Sequence, residues 1–220
     1  MRITGATPDD LDTLVAFRDQ AAAWLVSKGI DQWQEPWPTP DLMVEGMLAN
    51  IEAGETYIVW DDDDTRAATI TINRWAKPEL WTEEEAAEPA LYAHKVTVDR
   101  AYGGQGLGAE LLDWAGSRAA DEGADWLRVD VWTTNEHLQH YYLKQGFTYV
   151  RTVVLPHNPS GALFQRPAQR IPTPHLQETG LAYPTTRDKR PDPPSRHPNR
   201  HDPWDRAERL ASPFDQSIAR

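Results

Sequence analysis

The residues best suited to chemistry lie in one stretch, His94-Lys-Val-Thr-Val-Asp-Arg-Ala-Tyr-Gly-Gly-Gln-Gly-Leu-Gly-Ala109. β-Branched residues lead into Gly103, Gly104, Gly106 and Gly108, and an apolar-periodic segment follows. The pattern predicts a strand, a tight turn and a helix. Glycine lets a backbone bend sharply and approach a ligand closely. The first amides of a helix lack intrahelical acceptors and sit at the positive end of its dipole. Such a turn binds a phosphate-sized anion through main-chain N–H groups around Gln105 and Leu107, with no Lys or Arg in the cradle. A tight turn with nothing bound is the plainer reading of the same residues.

Two phosphate-binding motifs compete for this stretch. A Walker loop needs Gly-Lys-Ser/Thr, which does not occur here. The dinucleotide pattern G-x-G-x-x-G/A matches Gly104-Gln-Gly-Leu-Gly-Ala109, with Asp130 near the end of the next strand, where a ribose-binding acid would sit. That motif usually opens the first strand-turn-helix of its fold, whereas about 90 residues precede the strand that leads into it here.

A second stretch, Asn135-Glu-His-Leu-Gln-His-Tyr-Tyr142-Leu-Lys-Gln-Gly146-Phe147, makes the pattern more specific. Together the two resemble motifs A and B of the GCN5-related N-acetyltransferase (GNAT) family, over residues 1–166. Motif A reads Gln/Arg-x-x-Gly-x-Gly/Ala. Gly106 and Gly108 match its glycines, and Gly103 stands where the family carries Gln or Arg. Asn135 and Tyr142 keep the spacing of motif B, and Tyr141 replaces the usual Leu.

The resemblance implies acetyl-CoA as co-substrate and requires no metal. The cofactor-binding residues it implies are the backbone of Val96, Thr97 and Val98 at the end of a splayed strand, the turn Gly103, Gly104, Gln105, Gly106, Leu107 and Gly108, and the side chains of Asn135 and Tyr142. It also implies Tyr142 as the general acid that protonates the leaving thiolate, a role suited to a phenol of pKa about 10. Read as residues alone, Tyr142 is equally a half-buried helix aromatic and Asn135 a helix N-cap.

A general base must deprotonate the acceptor amine, and His94 is the candidate. By the two-residue period it shares a strand face with Tyr92 and Val96. Asp130 on the neighbouring strand could orient it, and Glu88 is a further option. By the resemblance, Trp33, Trp37, Trp75, Trp81 and Trp132 border the acceptor groove. The expected activity is N-acetyl transfer to a small-molecule or peptide amine by direct attack in a ternary complex. The chain has no cysteine, so a thiol-borne acetyl intermediate is excluded. The alternative from another class is a non-catalytic acyl-CoA sensor or interaction module on the same fold.

These residues need a scaffold, and the remaining segments supply one. Helix signals begin at Thr7-Pro8-Asp9-Asp10 and Thr39-Pro40-Asp41. Strand patterns cover Thr56–Trp60, Ala67–Trp75 and Leu91–Val98. On Ala124–Trp132, Leu127, Val129 and Val131 alternate with Trp126, Arg128, Asp130 and Trp132. The order predicts an α/β (α+β) fold with a mixed, mostly antiparallel sheet flanked by helices. Asp61-Asp62-Asp63-Asp64 reads as a hairpin turn.

The 220 residues carry a net charge of −12, which disfavours nucleic-acid binding, and no run is apolar enough for a membrane helix. The opening residues lack the apolar run of a signal peptide, so a cytoplasmic location is expected. A homodimer is one oligomeric state open to such a chain. Residues 167–220 are rich in proline and arginine and are expected to be a disordered tail, with a short helix around Pro203–Leu210 compatible with its sequence.

Overall fold

The computed structural model describes residues 1–34, 39–156 and 158–180. Its elements run β1 (Arg2–Gly5), α1 (Leu11–Ser27), α2 (Pro40–Glu52), β2 (Thr56–Trp60), β3 (Arg66–Asn73), α3 (Glu83–Ala87), β4 (Ala90–Val98), α4 (Leu107–Asp121), β5 (Trp126–Val131), α5 (Glu136–Lys144), β6 (Thr148–Thr152), β7 (Ala162–Pro167) and β8 (Gln177–Glu178). The expected mixed sheet is present: eight strands in the order β6-β7-β5-β4-β3-β2-β1-β8. Only β4–β5 and β1–β8 are parallel.

Local chemistry sets the element ends. Thr7 donates its amide and hydroxyl to Asp10 Oδ2 at 2.9 and 3.0 Å, and Arg66 holds the other oxygen at 2.8 Å. Thr39 caps α2 by accepting the Leu42 amide. At the turn 61–64, Asp61 Oδ1 accepts the amides of Asp63 and Thr65. Asp62 and Asp64 pair with the terminal amine and Arg2, which braces the hairpin.

Each sheet face has its own core. Leu127, Val129 and Val131 join Leu111, Leu112 and Ala115 of α4 in the main cluster. Successive strand residues point to opposite faces, so Ile58, between Tyr57 and Val59, belongs to a second cluster with Leu14, Met43, Met47 and Ile51 of α1 and α2. α4 therefore covers one face, and α1 and α2 cover the other.

The sheet forks at its centre. β4 pairs with β5 only at Ala90–Trp126, Leu91–Leu127 and Tyr92–Arg128. Beyond that point β4 stays on β3 to Val98, and β5 stays on β7 to Val131. A bulge shifts the β3–β4 register between Thr69 and Thr71, and opposite it Lys95 adopts φ 49°. This corrects the expected alternation. The extra residue inverts the side-chain phase, so Val96 and Val98 pack against the main core with Leu91 and Ala93. His94 remains on the Tyr92 face, and Val96 does not share it.

The boundary at residue 166 also needs correction. Residues 168–180 run along α4 instead of leaving the fold. The Ile171 amide donates to Ser117 Oγ at 2.9 Å, and Trp114 Nε1 donates to Glu178 at 2.5 Å. Leu176 enters the main core at 5% exposure. The proline content averaged over residues 167–220 hid this short apolar anchor. Residues 181–220, including the helix expected around Pro203–Leu210, lie outside the described residues. No helix among the described residues is long and apolar enough to cross a membrane.

Leu176→Ala is expected to cost about 2–3 kcal/mol, as for other buried leucines. That corresponds to a melting temperature lower by roughly 5–10 °C in a calorimetric scan. An unchanged melting temperature would contradict the docking of this segment.

Candidate active site

The glycine turn leads from β4 to α4 and leaves its amides open. Gly104 and Gly106 adopt φ 79° and 84°, the left-handed region that glycine enters without a Cβ penalty. The Gly103 amide is used inside the turn, bonded to Arg100 O at 3.2 Å. The amides of Ala109 and Glu110 return to Gly106 O at 3.0 and 3.1 Å. Between them, the amides of Gly104, Gln105, Gly106, Leu107 and Gly108 have no acceptor among the described residues. They lie at the N-terminus of a 15-residue helix, where the dipole favours an anion. Gly103, expected as part of the cradle, has its amide committed within the turn.

Gly108 has a tighter requirement. A Cβ there would meet the Tyr141 hydroxyl at 3.0 Å and Val98 Cγ2 at 3.6 Å. Tyr141 lines the same surface cavity as Val98, Gly103, Gly104 and Gly106. The motif alone did not single out Tyr141, although its departure from the usual Leu was the available signal. A diphosphate fits this set: open amides, a glycine floor and a phenol at the rim.

Tyr142 turns inward from the same helix. It is 7% exposed. Its ring lies edge-on to Tyr141 and Phe147 at centroid distances of 5.8 and 5.3 Å. Its hydroxyl hydrogen-bonds no described residue, yet it is not one of the sealed, unpartnered polar atoms. Burial, then the nearby Tyr141 and Asp130, push this phenol well above its ordinary range, so it keeps its proton.

The other side of the fork carries a buried ionic cluster. His94 Nδ1 lies 3.3 Å from Asp130 Oδ1, and Lys77 Nζ lies 2.9 Å from Asp130 Oδ2. Burial alone would raise the Asp130 carboxyl; Lys77 and then His94 outweigh it and hold the group well below the carboxylate range. His94 is pulled down by burial against the opposing influence of Asp130, which keeps the imidazole neutral. With the Nδ1 proton donated to Asp130, Nε2 carries the lone pair. That atom is buried and unpartnered among the described residues. Lys95, at the bulge, is lowered to about 8 by burial and then by Lys77.

The remaining candidates separate by position. Asn135 is 4% exposed and caps α5: Oδ1 accepts the Leu138 amide at 3.0 Å, and Nδ2 donates to Gln32 at 2.6 Å. Trp132 donates to Asp31 at 3.0 Å, and Thr134 donates to the same oxygen at 2.6 Å. The segment after α1 is thereby fastened to the β5–α5 loop, beside the Trp33 backbone that Arg18 holds. Trp81 is core, with the Arg128 guanidinium 4.7 Å from its ring centre. Glu88 pairs with Arg128, which removes it as a free base. Trp75 is 37% exposed, and Trp37 lies outside the described residues.

A forked sheet beside an open amide cradle defines an acyltransferase architecture of the kind the motifs resemble. The chain belongs to the acetyltransferase (GNAT) family, whose model matches residues 21–147. A curated relative, the uncharacterized N-acetyltransferase YesJ of Bacillus subtilis (strain 168), is 24% identical over 148 residues, spanning 66% of this chain and 80% of its own. A GNAT-family acetyltransferase from Listeria monocytogenes 4b F2365 shares the fold, with a TM-score of 0.62 and 23% identity, covering 75% of this chain and 93% of its own. The PaiA N-acetyltransferase of Thermoplasma acidophilum, solved in complex with coenzyme A, aligns with a TM-score of 0.55 and 16% identity over 75% of this chain and 97% of its own.

The His94 environment sets a pH dependence of stability. The unfolded imidazole protonates near its ordinary pKa of about 6.5, and the folded one only at lower pH. The linked stability is complete above about pH 6.5 and falls as pH drops below it, because the unfolded chain then binds the extra proton. In urea unfolding followed from neutral to mildly acidic pH, His94→Gln is expected to flatten this loss. An equally steep loss in the variant would contradict it.

Proposed function

We propose that the chain transfers an acetyl group from acetyl-CoA to an amine by direct attack in a ternary complex. The observation that carries this reading is the run of open amides from Gly104 to Gly108, reached by a strand, β4, that has parted from β5. The acetyl thioester supplies the activated carbonyl. The diphosphate is assigned to the amide cradle, and the pantetheine arm to the edge of Val96–Val98 that lacks a β5 partner.

His94 Nε2 accepts the proton of the incoming ammonium, with Asp130 fixing the tautomer and stabilising the imidazolium. The amine nitrogen then bonds to the acetyl carbon as the carbon–sulfur bond breaks, and the nitrogen releases its second, surplus proton to solvent to leave a neutral amide. Tyr142 gives its phenolic proton to the departing sulfur and regains one from solvent. The desolvation that raises the phenol also raises the basicity of a thiolate beside it, so the donor and acceptor remain matched.

The absence of cysteine supports direct transfer over a covalent enzyme intermediate.

In a thiol-release assay over a panel of amines, Tyr142→Phe is expected to lower kcat by about 10²-fold or more while CoA affinity stays nearly unchanged. A kcat equal to that of the native chain would remove Tyr142 from the chemistry. His94→Gln is expected to lower kcat/KM and to erase the acid limb of its pH profile, which lies below the usual imidazole range because the folded pKa is depressed. Retention of that limb in the variant would assign the base elsewhere.

A further inference from the structure

Arg100 begins the short 3₁₀ turn Arg100–Tyr102 that joins β4 to the glycine loop. Its guanidinium lies 4.2 Å from the ring centre of Trp24 on α1. It lines the same cavity as Gly103, Gly104, Gly106 and Gly108. A Cβ built on Gly103 would lie 3.6 Å from both Cζ and Nη1 of Arg100. The Arg100 carbonyl would lie nearer still, at 3.2 Å, so the guanidinium flanks the direction in which a side chain at 103 would project.

Among the described residues, no carboxylate pairs with Arg100. Every other arginine among the described residues has a carboxylate within ion-pair distance. The nearest acid in sequence, Asp99, is engaged differently: Oδ1 accepts the Ala101 amide at 2.8 Å and Oδ2 accepts Gln20 Nε2 at 3.0 Å. Gln20 Oε1 takes the Arg100 amide at 2.9 Å, so α1 fixes both the backbone and, through Trp24, the side chain of this arginine. In a chain of net charge −12, a pre-positioned cation with no carboxylate partner among the described residues, beside a run of open amides, points to an anionic ligand. Trp24, 37% exposed, gains a role as the platform beneath it.

We propose that Arg100 is the diphosphate-binding side chain of this site and replaces the one that Gly103 lacks. The assignment rests on the acetyl-CoA reading above and goes beyond it by naming a residue outside the glycine motif. Arg100 and a long side chain at 103 would be neighbours on the same cavity, so a chain with glycine at 103 can supply the guanidinium from three residues upstream.

The test is calorimetric titration of CoA and of 3′-dephospho-CoA into the full chain. Arg100→Ala is expected to weaken both ligands equally, by about tenfold, the loss of one charge-assisted contact. Adding Gly103→Arg to that variant is expected to restore most of the affinity, a rescue that a merely structural arginine would not show. Thermal melts of each variant confirm folding. A loss confined to CoA would place Arg100 at the 3′-phosphate and overturn the diphosphate assignment. Unchanged affinity in Arg100→Ala, or failure of the Gly103→Arg rescue, would overturn it as well. If the native chain bound neither ligand, the acetyl-CoA reading would fall, and this assignment with it.

Discussion

Between Tyr92 and Val98, β4 keeps its partner on one side and loses it on the other. The three residue pairs that join it to β5 end at Tyr92–Arg128, and every feature of the site follows from that separation. Arg128, fully buried, holds the joined end shut: it reaches Gln165, the Glu85 carbonyl, the Tyr92 hydroxyl and the Glu88 carboxylate, with Trp81 against its face. A charge buried this deeply is stable only when paired and hydrogen-bonded, so this hub is costly to disturb. At the open end, the β3–β4 bulge at Lys95 redirects β4 toward the glycine loop. Bulges bend strands and re-aim side chains in this way beside functional sites.

The two sides of the fork carry different electrostatics. On the α4 side, the positive potential comes from fixed backbone dipoles with Arg100 at the rim. On the opposite side, Asp130 joins Lys77 and His94 in a buried set whose charges nearly balance. The imidazole of His94 and the phenol of Tyr142 are each displaced by burial from the ordinary titration range. Burial that raises an acid and lowers a base favours the uncharged form of both, which is the state a proton relay needs before substrate arrives.

Much of this was legible in the sequence because it rests on local pattern. The alternation of Leu127, Val129 and Val131 marks β5 and its buried face. The glycine spacing marks the turn, and the interval from Asn135 to Tyr142 to Gly146 places α5. What escaped depends on contacts between distant segments. A lysine with φ 49° inside a strand leaves no compositional trace, so the phase change that separates His94 from Val96 was invisible. The Leu176 anchor was hidden in a proline-rich stretch because its partner surface, around Trp114, exists only once α4 has folded. Arg100 was in view, but its Trp24 platform lies on α1, and only the fold brings the two together.

In the proposed function, the main-chain N–H groups of Gly104 to Gly108 receive the diphosphate of CoA. Amide chemical shifts of the isotope-labelled chain, followed during a CoA titration, test it most directly. Saturable shifts are expected at Gly104, Gln105, Gly106, Leu107 and Gly108, with the amides of α3 unmoved. Saturable binding that leaves those five amides in place and moves others instead would contradict it.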